Sequence, residues 1–296
     1  MIVDPPWTAV LTSPERSLIL FGLVTTLLAL SSTLIRARLT TTESHGVHRS
    51  VSLTANAVVA LAAASYLALV VAFLVGYDQR DGSWVPNAAA QLAWSVRYMD
   101  WFVTVPLLVA ELLAVSRVAG SDDRRARVLG VALALGMPLS GYLGAVVIAD
   151  GRDFTALAVA GAVGAACFVG LYALVLSTFR RTAPRLPVAA RPSYQSAVVV
   201  LLVTWLAYPV VYGLQGITAG GAWAVTGQLV LCVADTVAKI GFGSLLHRTA
   251  VLRSRADDEA EPAQPRPRRP QADAVWVEAE QQIDPDFEPP IPLQQE

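Results

Sequence analysis

The chain has 296 residues, of which 54% are hydrophobic and 15% charged, with a formal net charge of −1. Soluble domains run at about 45–50% apolar and about 25% charged, so this composition points away from an ordinary soluble fold. A net charge so near zero offers no basic field for nucleic acid. The two cysteines, Cys167 and Cys232, both lie in apolar runs and read as small buried hydrophobes, neither a disulfide framework nor a metal site.

Residues 1–16 lack the basic stretch, short apolar core and small-residue cleavage site of a cleaved signal peptide, and read as an extracellular N-terminal segment. A membrane-crossing helix needs about 20 mostly apolar residues. Seven segments meet that condition: 17–36, 51–77, 90–116, 127–149, 154–179, 194–216 and 221–248. The connections are short and hold chain breakers: Gly82 and Pro86, Gly120 and Ser121, Gly151, Pro184 and Pro187, Gly220 and Gly221. There is no strong internal repeat. The expected fold is an all-α membrane protein, one seven-transmembrane-helix bundle over 17–250, followed by a tail at 251–296. From about Ala256 the tail is rich in Pro, Gln, Asp and Glu with a basic patch at Arg266, Arg268 and Arg269, a composition that predicts disorder.

Orientation follows from arginines near the helix ends. The connections after helices 1, 3 and 5 carry eleven: Arg36, Arg38, Arg49, Arg117, Arg124, Arg125, Arg127, Arg180, Arg181, Arg185 and Arg191. The other side has three, Arg16, Arg80 and Arg152. This asymmetry places the N-terminus outside and the C-terminus in the cytoplasm.

Ionisable groups inside a bilayer cost roughly 2.5–3.5 kcal/mol each on insertion scales, and those retained face the interior with partners. Five stand in mid-helix or near it: Arg97, Asp100, Glu111, Asp235 and Lys239. Of the 22 basic side chains, 21 are Arg and Lys239 is the only Lys. A GC-rich genome explains the scarcity of lysine but not the position of the survivor. Asp235 and Lys239 are four residues apart, one turn on one helical face. Arg97, Asp100 and Thr104 share a face of the third helix, and Glu111 returns to it three turns on, about 16 Å along the axis from Asp100. An ion-pair cluster locking the third helix to the seventh accounts for four of the five and leaves Glu111 unexplained. Alternatively, a desolvated lysine is nucleophilic toward carbonyls, and a Schiff base to an aldehyde cofactor would need the two carboxylates as counter-ions once protonated. Trp101 on the third helix and Trp205, Tyr208 and Tyr212 on the sixth recur at helical spacing, as core or as the walls of a cavity around the lysine.

The runs RYMDWFVTVPLLVAEL, WLAYPVVYGL and VADTVAKIGFG resemble the third, sixth and seventh helices of the microbial rhodopsins, in the right order. The likeness covers roughly 15–250. It implies all-trans retinal bound covalently as a Schiff base to Lys239, with Asp100 as primary counter-ion and proton acceptor, Asp235 as second counter-ion and Arg97 on their extracellular side. Trp101, Trp205 and Tyr208 correspond to pocket walls, Met137 and Gly141 to residues lining the retinal ring, and Leu108 to a position where leucine goes with green absorption. Asp100, Thr104 and Glu111 form an Asp-Thr-Glu set that looks like a light-driven proton pump of the proteorhodopsin and xanthorhodopsin type, with Glu111 as cytoplasmic proton donor. An apolar stretch favours the neutral form of Glu111, which can then wait protonated. Thr104, one turn beyond Asp100, is placed to hydrogen-bond it. The resemblance further implies a multi-pass protein of a bacterial plasma membrane, in contact with lipid and assembled as a trimer or pentamer.

The chain departs from the family pattern in several places. The helix 2 position where such pumps carry a histidine is Ser65, next to Tyr66, while His45, His48 and His247 lie at helix ends. Residues 213–228 contain no Asp or Glu, so paired release glutamates are absent and early proton release is not expected. Tyr212 stands where many relatives have tryptophan. The fifth helix has Gly161 and Gly164 in place of a ring-packing tryptophan. Relatives with a small residue there expose the ring to a carotenoid antenna, and the plainer alternative is close helix packing through small residues. The competing function is a sensory photoreceptor signalling through a partner protein. The long tail favours it, and Glu111 speaks against it, because sensors of this family usually lack a carboxylate at that position.

Overall fold

The computed structural model describes residues 2–39, 49–116 and 121–260. The readings made of His45, His48, Arg117 and the tail from 261 onward lie outside them. The chain divides into two units, Met1–Ala256 and Asp257–Glu296, and the candidate site lies in the first.

Among the described residues, seven helices are long and apolar enough to cross a membrane. They are α1 (Ser13–Leu39), α2 (Arg49–Val75), α3 (Ala90–Ser116), α4 (Ser121–Tyr142), α5 (Phe154–Thr182), α6 (Arg191–Leu214) and α7, which begins at Gly221 and reaches Ala260. Each packs on its sequence neighbours, and α7 returns to α1, closing a ring. Outward-facing apolar side chains such as Phe21, Leu67, Val169 and Val203 are exposed, the arrangement a lipid solvent favours. The polar groups gather at the centre: Arg97, Asp100, Thr104, Glu111, Asp235 and Lys239 are all buried.

Three helices are irregular, each for a local reason. α6 loses its helical pattern at Leu206, between Trp205 and Ala207. Pro209 has no N–H to donate four residues back, and its ring crowds the Trp205 carbonyl. α7 takes a π-helical turn over Val237–Gly241, which contains Lys239. α4 continues through a π turn, Leu143–Val147, into a 3-10 turn at Ile148–Gly151. The expected seventh segment stopped at 248, whereas the helix continues to Ala260.

At the end of the bundle that carries the N-terminus, β1 (Tyr77–Arg80) and β2 (Ser83–Pro86) form an antiparallel hairpin. Its turn is Asp81-Gly82, with φ of 48° and 80°, the positive values a tight two-residue hairpin turn demands. The N-terminal segment is tied down at both ends. Leu11 exchanges both backbone hydrogen bonds with Trp84 (2.9 and 2.8 Å), and Val3 N–H donates to Arg152 O at 3.0 Å. Thr12 and Glu15 cap α1 reciprocally: Thr12 N–H donates to Glu15 Oε2 at 2.8 Å, and Glu15 N–H to Thr12 Oγ1 at 3.4 Å. Asp153 caps α5 by accepting from Thr155 N–H at 2.8 Å.

Candidate functional site

The third and seventh helices bring their charged residues together across the bundle. Lys239 Nζ donates to Asp100 Oδ2 and lies 3.6 Å from Asp235 Oδ1. Arg97 Nη1 stands 3.2 Å from Asp235 Oδ2. Two cations therefore face two carboxylates, and the cluster is neutral as a whole. That balance is what makes its burial tolerable, because leaving one partner of a buried pair alone costs about 3–5 kcal/mol.

The two carboxylates are not equivalent. Asp235 accepts from Tyr66 (2.8 Å), Tyr208 (2.7 Å), Trp101 Nε1 (3.2 Å) and Arg97 (3.2 Å), besides its contact with Lys239. A carboxylate offers roughly four lone-pair sites, so its capacity is used up. Asp100 has Lys239 on Oδ2 and, among the described residues, no hydrogen-bond partner on Oδ1. Thr104 Oγ–H reaches Asp100, but at its backbone carbonyl (2.9 Å) rather than at the carboxylate.

Glu111 stands apart from this cluster. It is fully buried, and neither carboxyl oxygen has a hydrogen-bond partner among the described residues. Its neighbours are Gly243 and, beyond, Ala55: a Cβ on Gly243 would lie 3.8 Å from Glu111 Oε1 and 3.7 Å from Ala55 Cβ. Gly243 is four residues after Lys239, so Glu111 meets α7 one turn beyond the lysine, on the side away from Asp100 and Arg97.

A cavity of about 330 Å³ lies between α3, α4, α5 and α6. Trp101, Met137, Gly141, Trp205, Tyr208 and Tyr212, all singled out from the sequence, line it. Leu108 is buried but is not among the lining residues. Trp101 and Tyr208 join the cavity to the charged cluster, since each presents its ring to the cavity and its N–H or O–H to Asp235. The size is within the range of small-molecule sites, and the walls suit a slender apolar molecule ending near Lys239. Gly161 and Gly164 also line the cavity. A Cβ at Gly161 would come within 2.8 Å of the Tyr212 ring, and one at Gly164 within 2.9 Å of Ser140 Oγ. The two glycines thus make room for side chains of the bundle itself.

Two members of the network had no assigned place in the sequence reading. Tyr66, next to Ser65, reaches the site, donating to Asp235 and accepting from Arg97 Nη1 at 3.2 Å. Gln228 Oε1 accepts from Arg97 Nη2 at 2.6 Å. Gln228 lies seven residues before Asp235, two turns along one face, so spacing carried a signal. Cys167 and Cys232 are free thiols.

A family profile described as bacteriorhodopsin-like protein matches residues 16–252. The chain belongs to the microbial rhodopsins. Sensory rhodopsin III of Haloarcula marismortui is 34% identical over 152 residues, 51% of this chain and 62% of that one, so the match spans under two thirds of that relative. Bacteriorhodopsin-I of Haloquadratum walsbyi is 31% identical over 201 residues, 67% of this chain and 70% of the relative. Xanthorhodopsin, a light-driven ion pump with dual chromophore, superposes with a TM-score of 0.71 at 23% identity, covering 84% of this chain and 98% of that structure. The rhodopsin family implies a retinal chromophore, its members are light-driven transporters or photoreceptors, and the chain is a multi-pass membrane protein.

Proposed function

We propose that this rhodopsin is a light-driven outward proton pump holding all-trans retinal as a protonated Schiff base on Lys239. Bound there, retinal supplies the light-driven isomerisation that changes the direction and basicity of the lysine nitrogen. Everything else is done by side chains. Asp100 accepts the proton along its existing hydrogen bond to Nζ. Transfer discharges one cation and one anion together and leaves the Arg97–Asp235 pair, so the buried cluster stays neutral in that step, and Asp100 then gives its proton up to the extracellular side to regain its charge as Nζ is reprotonated. Asp235 is held by its four hydrogen-bond donors and serves as the fixed counter-ion. Glu111 returns a proton to Nζ from the far side and is refilled from the surface beyond it. The arginine asymmetry, eleven against three, makes that surface cytoplasmic and the N-terminus extracellular.

The observation that carries this reading is the buried, unpartnered Glu111 one turn past Lys239 on the side opposite the acceptor. A light absorber alone needs no second carboxyl there. A photosensor is the second reading, favoured by the likeness to sensory rhodopsin III. The two separate when cells expressing the protein with all-trans retinal are illuminated in unbuffered medium. The pump acidifies the medium, and a protonophore abolishes the signal. A visible band without acidification supports the sensor, and no visible band refutes the retinal assignment.

A further inference from the structure

Arg97 is fully buried, and its two terminal nitrogens face opposite ways in the network. Nη1 serves Asp235 and Tyr66, at the lysine end, and Nη2 serves Gln228 Oε1 at 2.6 Å, one turn before Cys232 and two turns before Asp235 on α7. Beyond Gln228 lies a cavity of about 10 Å³, closed by Trp7 and Pro6 of the N-terminal segment and by Tyr77 and Trp94. We propose that Gln228 is a positioning residue that anchors Arg97 from the outer side and sets how much of the guanidinium charge bears on Asp100 and Asp235. The inference rests on the pump reading of Lys239 and Asp100.

The groups on the two sides of Arg97 compete for a single cation. A neutral amide oxygen fixes Nη2 without neutralising it, so the arginine's charge stays available to the carboxylates. The other groups facing Arg97 among the described residues are Tyr66 from α2, Tyr208 from α6, Asp235 and the Cys232 thiol from α7, and Asp100 on its own helix. None of these lies on the outer side, where Gln228 stands between Arg97 and the small cavity. A carboxylate at 228 would draw the guanidinium outward and weaken its hold on the inner pair. An apolar side chain of the same length would release Nη2 and let the guanidinium settle inward.

The test is an acid titration of the visible band in the full-length protein reconstituted with all-trans retinal, for wild type, Gln228→Glu and Gln228→Met. Protonation of Asp100 changes the colour, so the midpoint reports the field on that carboxylate. Gln228→Glu is expected to move the midpoint to higher pH by about one unit or more, and Gln228→Met to lower pH. Opposite shifts mark a positioning role, since loosened packing alone moves both variants in one direction. Equal midpoints, or two shifts of the same sign, overturn the proposal. A wild type without a band, or with a band whose colour does not titrate, overturns the reading of Lys239 and Asp100 and the proposal with it.

Discussion

Asp100 and Asp235 are the same residue type beside the same lysine, yet their surroundings differ. Asp235 is surrounded by donors from α2, α3 and α6, whereas Asp100 keeps Oδ1 without a partner among the described residues. Asp100→Asn is therefore expected to abolish transport and move the visible band to longer wavelength, because it removes one counter-charge from the lysine. Absorption and light-induced pH measurements on the variant check both. Tyr66→Phe removes a donor that Asp235 and an acceptor that Arg97 both use, and is expected to cost about 1–3 kcal/mol. The readout is a lower temperature for thermal loss of the visible band. The charged residues were legible in the sequence because a bilayer penalises them unless they have a use. Tyr66 and Gln228 were not, because neutral polar side chains in apolar helices are common and only the packing decides which of them face the charges.

At the scale of the helices, the seven spans were readable from apolar length, and their irregularities were not. The break in α6 follows from Pro209 acting four residues back, while the π turn around Lys239 has no sequence signature that marks it. The hairpin between α2 and α3 did have one, Asp81-Gly82, passed over because four-residue strands are too short for alternation to stand out. The packing of α5 on α6 yields a prediction. Gly161 is small because the Tyr212 ring occupies the adjoining space, so Gly161→Leu is expected to drive that ring into the cavity. Retinal added to the apoprotein should then form a smaller fraction of the visible band, with slower uptake than in wild type. Unchanged uptake would mean that the cavity wall at α5 gives way freely.

Across the whole molecule, the fold places Asp100 and Glu111 at different depths on one helix, with Lys239 between them. In the proposed pump, direction comes from that order combined with the topology. With an extracellular N-terminus, a reporter fused after Glu296 is expected to be labelled only once cells are opened; labelling of intact cells would reverse the orientation and the direction of pumping. The family resemblance made the site legible from three sequence runs, but the level at which Glu111 meets α7 came only from the packing around Gly243.

If Glu111 is an internal proton store that makes the path one-way, flash photolysis of wild type and Glu111→Gln at several external pH values reads it out. The same visible band is expected in both. The late decay in wild type is expected to depend little on pH, and in the variant to be slowed by about 100-fold or more, growing slower still as external protons become scarce. A variant whose late decay matches wild type at every pH would contradict it.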